Sequence, residues 1–140
     1  VDTYGDYSRC GASALSGKDP DRIDRVGAYA ARHAAKNVVA AGLASQCEIQ
    51  LSYTIGLAKP VSVQVETYGT GCVADAEIAL RVANAFDFRL GHIIHRFGLR
   101  DLPQRDVLGF YPKLAAFGHV GRSDLDVPWE HVDSTELLVG

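Results

Sequence analysis

The sequence has no methionine, a single tryptophan and only three cysteines in 140 residues. Cys10, Cys47 and Cys72 are odd in number and none stands in Cys-x-x-Cys spacing, so neither a closed disulfide framework nor a cysteine zinc site is indicated. Long apolar runs are missing too, and the N-terminus lacks the basic, apolar and small-residue zones of a signal peptide, so no membrane passage is expected. Lys and Arg never form a block, and the formal net charge is −3. These features exclude a general nucleic-acid or anionic-membrane surface, and any anion site has to be local. A reducing, cytoplasmic setting is expected. With methionine absent and the chain opening at Val1-Asp2-Thr3-Tyr4, the expectation is a segment of a longer polypeptide.

What is present suffices for one domain. Hydrophobic residues make up 47% of the chain, whose length is among the commonest for a domain. From Asp24 to Ala41, the residues Val26, Tyr29, Ala30, Ala34, Asn37, Val38 and Ala41 recur at three- and four-residue steps, with Arg25, Arg32 and Lys36 mostly on another face. That spacing predicts an amphipathic helix, closed by Gly42 in a left-handed conformation. Cys47, Ile49, Leu51, Tyr53 and Ile55 alternate strictly, as does Val61–Thr67, which predicts two strands joined through residues 56–60 as an antiparallel pair. Asp75 is placed to cap a second helix that turns Ile78, Val82, Ala85 and Phe86 inward, and residues 91–97 read as a shorter third helix. Periodicity then fades. Phe110, Tyr111, Leu114, Phe117, Val120 and Trp129 are too apolar for a free tail, so this part is expected to pack on the sheet or on a partner surface. The expected fold class is α+β, two layers with helices packed on a mainly antiparallel sheet.

Chemistry concentrates between Arg9 and Arg25, a small-residue loop that ends in alternating charges and enters the first helix. Small side chains let backbone N–H groups approach an anion, the helix start adds the positive end of its dipole, and Lys18 and Arg22 neutralise charge from the side. The Gly-x4-Gly-Lys-Ser/Thr spacing of P-loop proteins is absent, and an irregular loop that merely solubilises the helix start has the same composition. Asp24, at the loop-to-helix junction, suits an oxygen ligand for Mg2+ beside phosphate-binding cations. It equally suits an acid interacting with the helix dipole. Elsewhere, His33, His92, His95, His119 and His131 form no His-x-x-x-His pair with a helical acid. His92 and His95 read as a polar edge or subunit contact, His119 between glycines as a tightly turned backbone, and Cys10 as a small residue with no general base beside it.

The order of the residues adds a resemblance. Asp2-Thr3-Tyr4-Gly5, Ser16-Gly17-Lys18-Asp19-Pro20, Asp24-Arg25, Ala28-Tyr29-Ala30-Ala31-Arg32, residues 35–43, Tyr53-Thr54-Ile55-Gly56, residues 65–71 and 116–122, and Pro128-Trp129-Glu130 closely resemble, in sequence order, the C-terminal part of S-adenosylmethionine synthetase (methionine adenosyltransferase). The resemblance covers essentially the whole chain. It implies that residues 1–140 are the C-terminal domain, one of three similar domains, lacking its first strand and the upstream N-terminal and central domains. It further implies an ATP-binding transferase that forms S-adenosylmethionine from ATP and L-methionine with release of pyrophosphate and phosphate. Mg2+ and K+ would be its cofactors, with the K+ ligands upstream of this chain, and it would act as a cytoplasmic homodimer or homotetramer. Carried over by position, Lys18 would be the catalytic cation on the triphosphate, Ala14 would approach ATP through its backbone, Arg22 would lie near methionine and Asp24 would bind Mg2+. The isolated chain would be inactive.

Departures from the family pattern are local. Cys10, Ala12, Ser13 and Leu15 replace a histidine, two glycines and a phenylalanine of its loop, Arg22 stands where lysine is usual, and Asp6 replaces a glycine. They motivate an alternative expectation, a non-catalytic homologue or dimerisation domain that has lost nucleotide binding.

Overall fold

Around helix α1 (Ile23–Ala40) the computed structural model, which describes residues 2–11 and 14–139, arranges an antiparallel strand pair and three further helices. The stripe read from the sequence is the buried one: Val26, Tyr29, Ala34 and Val38 are fully buried. Arg25 departs from that reading. It was expected to share a face with Arg32 and Lys36, yet it is buried, because its guanidinium finds partners inside. The helix closes as expected at Gly42, whose φ of 75° lets Gly42 N–H donate to Val39 O at 3.0 Å and Leu43 N–H to Val38 O at 3.2 Å. Both bonds satisfy carbonyls that the helix end would otherwise orphan.

Strands β1 (Glu48–Ser52) and β2 (Ser62–Glu66) pair antiparallel, with Glu48 opposite Glu66 and Ser52 opposite Ser62. Ile49, Leu51, Val63 and Val65 turn toward the core while Gln50 and Gln64 are exposed, the alternation that one covered face requires. α1 packs over β1, and α2 (Asp75–Ala85) over β2. Both strands are shorter than their alternation predicted. Tyr53 leaves the ladder to donate its hydroxyl to Phe88 O at 2.8 Å, and Ile55 and Leu57 lie exposed in the connection.

Asp75 does not cap α2. The N-cap is Ala74, and the Asp75 carboxylate instead accepts from the Thr67 N–H at 3.2 Å and the Thr67 hydroxyl at 2.5 Å, tying the first helical turn to the end of β2. α3 (Leu90–Arg96) falls where the third helix was expected, with His92 and His95 exposed. α4 (Phe110–Phe117) was not foreseen; eight residues are too few for a clear period, and Pro112 sits in its first turn, where no intrahelical N–H is lost. The apolar tail covers α1 rather than the sheet. Trp129, in the 3₁₀ turn Pro128–Glu130, stacks on Tyr29 with centroids 3.6 Å apart, whereas Phe117 is exposed. No helix among the described residues is long and apolar enough to cross a membrane. The three cysteines are unpaired; Cys47 is half-buried, and desolvation, aided by Asp75 and Glu48, pushes its thiol up to about 12, while Cys10 and Cys72 are exposed.

Candidate functional site

Two turns convert the charged loop into the start of α1. Lys18 N–H donates to Leu15 O at 3.3 Å, and Arg22 N–H donates to Asp19 O at 2.9 Å while the Asp19 carboxylate accepts from Asp21 N–H at 2.9 Å. Leu15 is buried and anchors the loop in the core. Arg22 takes the N-cap position in extended backbone (φ −69°, ψ 136°), so the helix begins immediately after it. This path carries Lys18 back over the first helical turn, where its Nζ donates to Asp24 Oδ2 at 2.9 Å. The two residues singled out as triphosphate and Mg2+ contacts are thus neighbours. Their side chains keep 26% and 34% of their surface exposed, so the pair contributes about 1 kcal/mol or less and either member is open to exchange its partner for a ligand.

Ala14 is exposed on the same loop, and Arg22 is exposed with no ion-pair partner among the described residues. Ala12 and Ser13 lie outside the described residues. Asp24 and Lys18 come together, therefore, with Ala14 and Arg22 flanking them along the chain.

Behind the loop stands a group of buried polar residues that the sequence reading missed. Arg25 Nη1 donates to Lys18 O at 2.7 Å, its Nε donates to Tyr29 Oη at 3.0 Å, and its guanidinium lies 4.5 Å from the Tyr111 ring centroid. No carboxylate pairs with Arg25 among the described residues, so its charge adds a positive field directly beneath the Lys18 backbone. Tyr29 Oη lies 2.7 Å from His119 Nδ1, and His119 Nε2 lies 2.8 Å from Ser16 Oγ. Burial, reinforced by the Arg25 charge, pushes His119 down to about 4, so its ring is neutral; burial pushes Tyr29 up to about 12. The turn expected at His119 is present. Gly118 has φ +90°, and the Asp2 carboxylate, which accepts the His119 N–H at 2.6 Å, lies 3.1 Å from where a Cβ at Gly118 would stand. The spacing of Arg25 and Tyr29 on one helix was a usable signal for part of this group; the glycines marked the turn at His119, but nothing local marked its ring as the partner of Tyr29 and Ser16.

Beside the loop, a groove of about 720 Å³ runs between residues 2–11, the small-residue face of α1 at Gly27, Ala28 and Ala31, and β1, with Asp24 in its lining. Among the described residues no three His, Cys, Asp or Glu side chains converge to hold a metal. Asp24 nevertheless offers one hard carboxylate, which fits Mg2+, an ion held through one or two carboxylates with phosphate and water completing its shell.

An α+β domain with helices over an antiparallel pair, and a cation-bearing loop heading its longest helix, is the class that this geometry defines. Residues 1–131 match the family described as S-adenosylmethionine synthetase, C-terminal domain. The chain is 55% identical over 138 residues to the S-adenosylmethionine synthase of Trichormus variabilis, covering 99% of this chain and 33% of that protein. It is 58% identical over 139 residues to the S-adenosylmethionine synthase of Nostoc punctiforme, with 99% and 32% covered. A solved structure described as an unusual S-adenosylmethionine synthetase from Campylobacter jejuni matches with a TM-score of 0.89 at 42% identity, over 98% of this chain and 35% of that one. The chain belongs to the S-adenosylmethionine synthetase C-terminal domain family, and it spans about a third of the length of the relatives it matches.

Proposed function

We propose that the chain is the C-terminal domain of a methionine adenosyltransferase and supplies the triphosphate and Mg2+ contacts of an active site that upstream domains complete. In this reaction the methionine sulfur attacks the ribose C5′ of ATP, and triphosphate leaves before being cleaved to pyrophosphate and phosphate. Charge develops on the leaving group, and groups already oriented toward it lower the barrier most. Lys18 meets the triphosphate as the catalytic cation, Ala14 presents its backbone to ATP, and Arg22 lies near methionine. Asp24 would hold Mg2+, which would supply neutralisation of the phosphate charge. The observation that carries this reading is the Lys18–Asp24 pair at 2.9 Å, a cation and a carboxylate side by side at a helix start.

K+, the remaining ligands, and the N-terminal and central domains come from outside these residues, and the whole acts as a cytoplasmic homodimer or homotetramer. Asp24→Asn, placed in the full-length polypeptide carrying this segment, is expected to raise the Mg2+ concentration for half-maximal product formation about tenfold or more. An unchanged Mg2+ dependence would remove Asp24 from the metal.

A further inference from the structure

The buried polar group behind the loop has a direction. A guanidinium only donates, so the Tyr29 oxygen is the acceptor of its bond from Arg25 Nε. Tyr29 is fully buried, and its one proton has a single acceptor among the described residues, His119 Nδ1 at 2.7 Å. A neutral imidazole that accepts at Nδ1 carries its proton on Nε2, and this proton is donated to Ser16 Oγ at 2.8 Å. The Ser16 oxygen is occupied as an acceptor, which leaves its own proton without a partner among the described residues, on an exposed residue two positions before Lys18.

We propose that Ser16 is a further phosphate-contacting residue of this loop, its hydroxyl aimed as a donor by His119, which acts as a positioning residue. The inference rests on the reading of the loop as a polyphosphate site. Arg25 ties the two parts together, since the guanidinium that starts the relay also holds the Lys18 carbonyl at 2.7 Å. Among the described residues, Arg25 and Tyr29 from α1, Asp2 at the His119 N–H, and Arg122 are the charged and titratable groups around the ring. Burial is the main cause that keeps the ring neutral, and Arg25 and Arg122 add to it against Asp2, so the relay keeps one direction across the neutral range.

The test is calorimetric binding of Mg2+-tripolyphosphate to the full-length polypeptide carrying this segment. Ser16→Ala is expected to weaken binding about ten- to a hundredfold, the worth of one hydrogen bond to a charged group. Ser16→Thr restores it. His119→Ala weakens binding to a similar degree, and the Ser16→Ala/His119→Ala pair is no weaker than His119→Ala within about twofold, because one change removes the donor and the other removes what aims it. Losses that multiply in the double variant overturn the positioning role. If Lys18→Ala weakens binding and Ser16→Ala does not, the proposal fails while the polyphosphate site stands; if neither weakens it, the site itself is refuted. Ser16 is exposed, so Ser16→Ala and Ser16→Thr decide the phosphate contact even where His119→Ala does not fold.

Discussion

Trp129 lies flat on Tyr29, 1° from parallel, and its indole Nε1 donates to the His119 carbonyl at 2.6 Å. One side chain therefore covers the middle of α1 and also fixes the turn from which His119 reaches the loop. A buried ring with its polar edge satisfied combines a large apolar area with a positional constraint. Trp129→Ala leaves a cavity against Tyr29 and an unpaired carbonyl, so urea denaturation of the chain should show a loss of about 3–5 kcal/mol. A loss below about 1 kcal/mol would mean that the tail is not part of this core. At the same scale, Arg25 illustrates what a helical wheel cannot give. Its position follows from partners that satisfy it inside, the Lys18 carbonyl and the Tyr29 hydroxyl, and not from its hydropathy.

Glu130 joins the elements. Its carboxylate accepts from Arg32 Nε at 2.8 Å, Lys36 Nζ at 2.7 Å and Gly121 N–H at 2.8 Å, clamping the C-terminal 3₁₀ turn onto α1. Burial works to raise its pKa, but the hydrogen bonds from Arg32, Lys36 and Gly121 outweigh it and hold the group at about 2, against 4.5 when free. A folded-state pKa below the unfolded one stabilises fully above about pH 4.5, and this contribution drains away as the pH falls toward 2. Between pH 5 and pH 3 the wild-type chain should lose about 2 kcal/mol more stability than Glu130→Gln, read from urea midpoints. Equal losses would show that the clamp does not titrate. Elements also mark the limit of what sequence patterns reveal. α1 and the strand pair were legible because each repeats its period long enough to define a face, whereas α4 is too short and the strand ends depend on Tyr53 reaching Phe88. Lys18 and Asp24 were legible as candidates through the loop and its order, and the structure brings them side by side. The Ser16–His119–Tyr29 relay was not, because its members lie 103 and 90 positions apart and only the folded chain brings them together.

As a whole molecule, the chain spans about a third of its relatives, and under the proposed function it would bring only one cation and one carboxylate, the paired Lys18 and Asp24, to a reaction that needs groups from several elements at once. By itself it is expected to form no product from ATP and methionine. The decisive contrast lies within the full-length polypeptide that carries it. The Lys18–Asp24 pair is too exposed to matter much for folding, so Lys18→Ala should leave the melting temperature within a few degrees of wild type. If Lys18 meets the developing charge of the leaving triphosphate, product formation should meanwhile fall about a hundredfold or more. Turnover within about twofold of wild type, in a variant that folds normally, would contradict the assignment of this loop.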